Sequence, residues 1–224
     1  ARSQWFADIS HELRTPLSIL RGKIEALQDG VYPPTKETFA ALHHEAIHLG
    51  MLVEDLYQLA LSDIGAMSYN RVEVQPCWAL EQSVALLQPQ MERKKHNLKT
   101  SVDIEEEIGI FADNERLKQL FTNLLANSIR YTNDGGQINI RVHQTDSAII
   151  YDIEDSAPTV SSEHLPRLFE RLYRIDSSRS RNLGGAGLGL SICYNIVKGH
   201  HGTIEAQQSS LGGLWIRVSL PLSQ

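Results

Sequence analysis

Apolar side chains recur at spacings of three and four residues between residues 9 and 60, which is the period of an α-helix. At about 100° per residue, one set falls within an arc of roughly 80°. That set is Ile9, Leu13, Leu17, Leu20, Ile24 and Leu27. After a break at Gly30, Pro33 and Pro34, the second set is Phe39, Leu42, Ala46, Leu49, Val53, Leu56 and Ala60. With Thr35 as the N-cap of the second helix, the pattern predicts an antiparallel helical hairpin.

A hairpin of two helices cannot surround both of its own apolar stripes. A second copy of the hairpin would bury the surplus in a four-helix bundle, and packing on the rest of the chain is the alternative. The pattern therefore favours a homodimer.

The periodicity changes near residue 66, where polar and apolar residues begin to alternate before Pro76. We predict a domain over 1–66, a linker over 67–76 and a second domain over 77–224. Helical spacing in the second domain fits 77–95, 113–131 and 187–200. Strand alternation fits 97–104, 108–112, 136–144, 147–154, 203–208 and 213–220. Turns are predicted as a hairpin at 133–136 and at Gly212-Gly213, and the aperiodic segment 155–187 is predicted to be a lid. The fold class is α+β.

Composition narrows the possible functions. A formal net charge of −6 argues against a nucleic-acid-binding protein. Cys77 and Cys193 are far apart and predict neither a disulfide framework nor a zinc site. No apolar run approaches the roughly 18 residues of a membrane-spanning helix. We expect a soluble fragment, with any membrane segment outside this sequence.

His11 lies about 160° from the centre of its helix's apolar stripe, so its imidazole should face solvent, with Thr15 beside it. Glu12 could hold the Nδ1 proton and leave Nε2 free for nucleophilic attack. An exposed histidine more often has no chemical role. Pro16 removes a helical hydrogen bond and predicts a bend near these groups, which could also be purely architectural.

Two asparagines, Asn123 and Asn127, recur one helical turn apart, and Arg130 follows. Asparagine is a poor mid-helix residue, so the pair needs partners. Amide oxygens suit Mg²⁺, but two solvated or mutually bonded amides are equally consistent with the pattern.

Glycines at 184–189 precede a predicted helix, whose free amide groups could bind phosphate; a flexible hinge would have the same sequence. The neighbouring segment is rich in arginine, at Arg167, Arg171, Arg174, Arg179 and Arg181. This local guanidinium excess favours a polyphosphate ligand. Asp155 ends a predicted strand, and a buried carboxylate there needs a donor, which could be an adenine amino group or a backbone amide.

Together these stretches resemble the cytoplasmic core of two-component sensor histidine kinases, over essentially the whole chain. The phospho-acceptor box is matched by FADISHELRTPL, the N box by TNLLANSIRYT, and the F box by LFERLYR. The two glycine boxes are matched by DSAPTV and GGAGLGLSI. The resemblance implies a dimeric four-helix bundle followed by an α/β sandwich ATP-binding domain of the histidine kinase and chaperone ATPase type.

The resemblance also implies a reaction. His11 would be phosphorylated at Nε2 from Mg²⁺-ATP, with Glu12 accepting the Nδ1 proton. The phosphoryl group would pass to an aspartate in the receiver domain of a response regulator. Thr15 would orient a water for the reverse, phosphatase activity. The parent protein would be a membrane-anchored bacterial sensor, with this core on the cytoplasmic side of the inner membrane.

The nucleotide site is likewise implied by the resemblance. Asn127, with Asn123, would ligate Mg²⁺, and Arg130, which stands where the family usually has lysine, would contact phosphate. Tyr131 would flank the nucleotide, and Asp155 would receive the adenine amino group. The lid and phosphate contacts would come from Gly185, Gly187, Leu188, Gly189, Arg171 and Arg174.

Two departures from the family pattern bear on the lid. Ala157 and Thr159 replace the glycines of the first glycine box, so we expect adenine binding to persist with an altered start of the lid. Leu172 stands where the F box usually has a second phenylalanine. Two other functions remain open: a non-kinase ATPase of the same nucleotide fold, and a degenerate dimeric scaffold. The remaining histidines are expected to be solvated or at a helix end (His43, His44, His48, His200 and His201).

Overall fold

The structure is a computed structural model that describes residues 2–63, 68–105, 107–175 and 187–223. The chain divides into two compact units, residues 1–66 and residues 67–224. None of the helices in the described ranges combines the length and the apolar character that crossing a membrane requires.

The N-terminal unit is a hairpin of two long helices, α1 (Arg2–Gln28) and α2 (Lys36–Asp63). Thr35 caps α2, as predicted: the Thr38 amide donates to Thr35 Oγ1 over 3.3 Å, and the Phe39 amide donates to the Thr35 carbonyl. Pro16 lies inside α1 and is buried, and the helix runs unbroken through it.

The buried side of α2 agrees with the predicted stripe at Leu49 and Leu56, which are half-buried, and differs from it by one residue at two fully buried positions. Leu52 and Leu59 are buried, whereas Val53 and Phe39 are exposed. Leu49, Leu52, Leu56 and Leu59 follow one another at spacings of three and four residues. This is the spacing of helices packed as in a coiled coil, whose apolar stripe is narrower than that of a helix on a globular core. The hairpin of a single chain therefore leaves large apolar side chains uncovered at Leu17, Ile19, Ile24, Phe39, Ile47, Met51, Val53 and Tyr57.

The C-terminal unit is built on a five-stranded sheet with the order β2-β4-β5-β7-β6. Its strands are β2 (Asn97–Asp103), β4 (Gln137–Gln144), β5 (Ala148–Ser156), β6 (Thr203–Gln208) and β7 (Gly212–Pro221). Within this sheet β2 and β4 pair in parallel, and the other three pairings are antiparallel. A second sheet pairs β1 (Val72–Val74) with β3 (Ile110–Ala112). The helices are α3 (Trp78–Arg93), α4 (Asn114–Tyr131) and α5 (Gly189–Gly199), with a 3-10 turn at Leu165–Arg167.

The core of this unit lies between the main sheet and α4. On β5, Tyr151 and Ile153 are buried, and the Phe121 ring of α4 lies 4.8 Å from the Tyr151 ring. Asp152 points to the opposite face of the sheet, because side chains alternate along a strand. Asp155 therefore shares the helix-covered face with Tyr151 and Ile153.

Two sequence predictions are wrong in this unit. The segment 67–76 is more than a linker, because it contains β1, whose partner β3 lies far along the sequence. The turn at 133–136 joins α4 to β4 and so is not a β-hairpin; Gly135 has φ +78° there. The Gly212 turn does join β6 to β7, with φ +92° at Gly212.

Candidate functional site

Asp155 is the most constrained polar residue of the candidate site. It lies at the end of β5 with 5% of its surface exposed. The Leu214 amide donates to its Oδ1 over 2.8 Å, and the Ser128 hydroxyl donates to the same carboxylate. A Cβ at Gly213 would overlap the carboxylate. Residues from α4, β5 and β7 therefore hold Asp155 in one place.

Burial raises the pKa of Asp155 to about 6, while the donors Leu214 and Ser128 oppose the shift. The group is therefore mostly ionised near neutral pH. A carboxylate has about four acceptor positions, and these two donors leave part of that capacity for a ligand. A backbone amide was one of the two donors predicted for Asp155, and the Leu214 amide is that donor. Its presence does not exclude the other predicted donor, an adenine amino group.

Helix α4 presents the other predicted residues on one face, since Asn123, Asn127, Arg130 and Tyr131 lie four, seven and eight positions apart from the first. Asp113 caps the helix and accepts from the Arg116 amide over 3.1 Å. The apolar residues that α4 buries include Leu117, Leu120, Phe121, Leu124 and Leu125.

Asn123, in the middle of α4, lies beside the first residue of α5. A Cβ at Gly189 would be 3.9 Å from Asn123 Cγ, and Asn123 Nδ2 is buried without a hydrogen-bond partner among the described residues. Asn127 and Arg130 are half-buried, and Tyr131 is 40% exposed. The structure thus brings one of the two predicted asparagines to the N-terminus of the glycine-led helix.

Gly187, the last residue of the predicted lid, lies against the backbone of Leu172 and Tyr173. Gly187 has φ +70°, and a Cβ there would lie 3.0 Å from the Leu172 carbonyl carbon and the Tyr173 oxygen. The Leu172 amide donates to the Gly187 carbonyl over 3.1 Å. The Leu188 side chain is buried in the core, and the Leu188 carbonyl accepts a hydrogen bond from the Ser191 hydroxyl. Gly185, like Arg179 and Arg181, lies outside the described residues.

Arginines of the lid segment are engaged with the protein itself. Arg167 pairs with Glu170 at 3.2 Å and stacks over the Tyr173 ring, whose hydroxyl lies 2.6 Å from His164 Nδ1. Arg171 and Arg174 are half-buried.

The altered first glycine box is anchored to the β6–β7 turn. Thr159 Oγ1 donates to the Gly212 carbonyl, and Gln208 Nε2 donates to the Val160 carbonyl over 2.9 Å. A glycine at residue 159 could not make the first of these bonds. Leu172, the other departure, has φ +59°.

His11 and Glu12 lie in α1, but their side chains are outside the described part of the structure. Thr15 follows one helical turn later and is exposed. His43 and His44 are exposed, as predicted, and the side chain of His48 lies outside the described set. Three further residues around the site were not identified from the sequence, namely Ser128, Gly213 and Leu214.

Lys94 is another residue that sequence reasoning missed. Its Nζ donates to the carbonyls of Ile129 and Arg130 over 2.9 and 3.2 Å. It therefore caps the C-terminal end of α4, where Arg130 and Tyr131 lie.

Comparison with known proteins accounts for both units. Residues 112–224 match the family of histidine kinase-, DNA gyrase B- and HSP90-like ATPases, and residues 1–65 match the His Kinase A phospho-acceptor domain. The chain belongs to the histidine kinase family. The order of its two units, helical hairpin and then ATPase sandwich, is the order of these two matches.

Several histidine kinases are similar over nearly the whole chain. The signal transduction histidine-protein kinase BaeS of Escherichia coli (strain K12) is 47% identical over 223 residues, covering 100% of this chain and 47% of BaeS. The sensor protein SrrB of Staphylococcus aureus is 33% identical over 223 residues, covering 98% of this chain and 38% of SrrB. The chain thus spans about half the length of BaeS, and less of SrrB.

Solved structures share the fold of this histidine kinase chain. The Acinetobacter baumannii kinase AdeS superposes with a TM-score of 0.79 at 25% identity, covering 96% of this chain and 98% of AdeS. The kinase ThkA, solved in complex with the response regulator TrrA, gives a TM-score of 0.77 at 20% identity, covering 98% of this chain and 61% of ThkA.

Proposed function

We propose that this chain is a kinase core that transfers the terminal phosphoryl group of ATP to His11 and then to an aspartate of a response regulator. The observation that carries the proposal is the buried Asp155 carboxylate, which keeps acceptor capacity beside Ser128 and Leu214. A buried charge without a function is costly, so a ligand that donates to it explains its presence.

The adenine amino group is the donor that we assign to Asp155. Tyr131, partly exposed at the end of α4, would flank the base or ribose. Arg130 would contact phosphate from the same face of α4. The amide groups at the start of α5, including Gly189, would face the phosphates, because a helix N-terminus favours negative charge. Gly185, Gly187, Leu188, Arg171 and Arg174 would complete the lid side.

Mg²⁺ fits the side chains at this end of α4. The amide oxygens of Asn127 and Asn123 are hard donors, and Asn123 Nδ2 has no hydrogen-bond partner that fixes the amide within the described structure. A bound ion would neutralise phosphate charge during transfer. The chain's own part is positioning, with both asparagines on one face of a helix that is held by its buried apolar residues.

The hairpin supplies the nucleophile in this proposal. His11 Nε2 would attack the terminal phosphorus, and Glu12 would hold the Nδ1 proton. Thr15 is exposed one turn later, where it could orient a water for hydrolysis of the regulator's aspartyl phosphate. Thr15→Ala should then lower phosphatase activity while autophosphorylation persists, and Ser18→Ala, on the same helix, should lower neither.

A homodimer follows from the uncovered apolar side chains of the hairpin. Leu17, Ile24, Phe39 and Val53 are each more than two-fifths exposed in the single chain. Such an apolar surface is buried when two hairpins form a four-helix bundle. A membrane-anchored parent with this core on the cytoplasmic side stays a prediction from the family resemblance.

Incubation with Mg²⁺ and γ-labelled ATP tests the proposal. We expect acid-labile, alkali-stable label on the wild type and on His44→Gln, an exposed histidine of the same hairpin, but none on His11→Gln. The label should move to the receiver domain of a cognate response regulator. ATP hydrolysis without protein label would instead indicate a non-kinase ATPase, and neither label nor hydrolysis would indicate a degenerate scaffold.

A further inference from the structure

Helices α4 and α5 lie antiparallel, and contacts with α4 occur at both ends of α5. At one end Gly189 of α5 lies beside Asn123. Midway, Cys193 Sγ donates to the Leu120 carbonyl over 3.6 Å. At the other end, the Asp113 amide donates to His200 Nε2 over 3.0 Å. The His200 contact therefore closes the helix pair at the end away from the candidate nucleotide site.

His200 can make this contact only as a neutral imidazole of one tautomer. A backbone amide can only donate, so Nε2 must accept from Asp113. The ring proton is then on Nδ1, which donates to the Ile196 carbonyl over 2.8 Å. Both ring nitrogens are used, and the residue is 3% exposed. The sequence suggested an ordinary histidine at a helix end, but the structure shows a buried connector between two helices.

Local backbone geometry holds His200 in place. The Gly202 amide donates to the Val197 carbonyl and the His201 amide donates to the Lys198 carbonyl, which together form a Schellman motif at the end of α5. His201 takes the left-handed position with φ +59°. His200 is the last residue before that turn, and its side chain is directed back toward α4.

The segment before β1 covers the same end of the helix pair. Tyr69 donates to the Asn195 carbonyl over 3.2 Å, and its ring meets the His200 ring edge-on at 5.0 Å. Arg71 donates to the Gly199 carbonyl, and a Cβ at Gly199 would overlap the Tyr69 ring. The Asn70 amide donates to Asp113 Oδ2 over 2.9 Å. Water is thus excluded from the His200 ring.

The charges around His200 are mixed. Burial lowers the pKa of His200, interactions with Arg71 and His201 lower it further, and the Ile196 carbonyl and Asp113 oppose these effects. Tyr69, which also faces the ring, has a pKa raised by its own burial, so it stays neutral in the physiological range. Protonation at Nε2 would place a second N–H against the Asp113 amide and break the contact.

We infer that neutral His200 is a positioning residue for the nucleotide site: it fixes α5 against α4, and its protonation loosens the pair that carries Gly189 and Asn123. The inference rests on the proposed nucleotide site and adds a proton-sensitive element to it. The expected consequence is nucleotide affinity that falls as the pH drops below the usual range of histidine.

Glutamine at residue 200 separates the hydrogen bonds between α4 and α5 from the protonation of the imidazole. Its amide nitrogen can donate to Ile196 and its oxygen can accept from Asp113, but it takes up no proton. His200→Gln should therefore bind a non-hydrolysable ATP analogue with Mg²⁺ as the wild type does at about pH 7.5. His200→Leu should bind more weakly at every pH, and His201→Gln, which alters the neighbouring imidazole, should follow the wild type.

The measured quantity is the ratio of dissociation constants, wild type over His200→Gln, across the pH range, with the full chain. Titration of Asp155 affects both proteins and cancels in this ratio. We expect a ratio near one at about pH 7.5 that rises to about threefold or more at about pH 5.5. A ratio of one throughout overturns the inference even if His200→Leu does not fold. No analogue binding by either protein at any pH overturns the proposed function instead.

Discussion

The amide nitrogen of Leu214 lies 2.8 Å from Oδ1 of Asp155, at the point where β7 passes the end of β5. This bond, with the Ser128 hydroxyl, partly compensates a carboxylate that is almost fully buried. The compensation is incomplete, since burial still raises the pKa of Asp155 to about 6. A protein that tolerates this cost keeps a strong acceptor ready for a donor from outside the chain.

Replacing Asp155 by asparagine should separate stability from binding. The amide oxygen can still accept from Leu214, and the buried charge is removed. We expect the free energy of unfolding at about pH 7.5 to rise by about 1 to 3 kcal/mol. ATP affinity should fall about tenfold or more, because the amide nitrogen would face the adenine amino group, a second donor.

Urea unfolding and titration calorimetry measure the two effects of Asp155→Asn. Asp146→Asn removes the same formal charge at the exposed turn between β4 and β5, and neither quantity should change much. Unchanged ATP affinity in Asp155→Asn would remove Asp155 from the nucleotide site.

The same carboxylate should make stability depend on pH. Its folded-state pKa is raised, so between about pH 4 and about pH 6 the folded state holds a proton that the unfolded state has lost. Stability from this group is therefore present at low pH and is lost as the pH rises through that window. The stability advantage of Asp155→Asn over the wild type should grow from about pH 4 to about pH 6 and then level off, as measured by urea unfolding. An advantage independent of pH would contradict the assignment.

Lys94 should support the nucleotide face of α4 through its hydrogen bonds to the backbone, although its Nζ also lies 3.8 Å from Asp134 Oδ1. Lys94→Met removes the donor to the Ile129 and Arg130 carbonyls, and we expect a loss of about 1 kcal/mol in unfolding free energy. ATP affinity should fall severalfold because Arg130 and Tyr131 lie at the end that is released. Lys95→Met, one residue on, changes the same charge and serves as the control; an equal loss in both variants would show that general charge is responsible.

Lys95 itself occupies a strained backbone position. It has φ +56°, and the Lys95 and His96 amides donate to the Glu92 and Met91 carbonyls as in a Schellman motif, where glycine is favoured. Lys95→Gly should raise the unfolding free energy by about 0.5 to 1 kcal/mol. Lys99→Gly, within strand β2, should lower it. Thermal or urea unfolding compares the two, and destabilisation by Lys95→Gly would contradict the strain argument.

The opposite face of the main sheet provides a contrasting carboxylate. Asp152 is buried, like Asp155, but it accepts from Arg217 Nε over 2.7 Å and from Trp215 Nε1 over 2.8 Å. Arg217→Met should lower the unfolding free energy by about 1 to 3 kcal/mol, a range that allows for the partial exposure of Arg217. ATP affinity at the folded protein should stay the same, since this face points away from Asp155. A clear loss of affinity would place the ligand elsewhere.

The pattern of apolar and polar residues predicted most helices and strands of the C-terminal unit, because each of these patterns lies within a short stretch of sequence. Helix α4 was predicted at 113–131 and runs over Asn114–Tyr131, since Asp113 caps it and its apolar face is continuous. Every strand of the main sheet was predicted as a strand, and the three helices of this unit were predicted as helices. Thr35 was likewise identified from its position before the second apolar run.

Long-range partners could not be predicted in the same way. Strand β1 was assigned to a linker because its partner, β3, is not adjacent in the sequence. The donors Ser128 and Leu214 reach Asp155 only after α4, β5 and β7 have assembled. Which of Leu52 and Val53 is buried depends on the packing of two helices, and the apolar spacing within a single helix predicted the wrong one of the two. His200 was correctly predicted at a helix end, but its contact with Asp113 could not be predicted because Asp113 caps another helix.

The central claim, that a nucleotide held at Asp155 delivers its terminal phosphoryl group to His11, is tested most directly by locating that group. Wild type and Asp155→Asn would be incubated with limiting Mg²⁺-ATP and digested at neutral to alkaline pH, and the phosphorylated peptide identified by mass spectrometry. We predict phosphohistidine at His11 in the wild type and much less in Asp155→Asn. Phosphate on another residue, or equal phosphorylation of His11 in both proteins, would contradict the account.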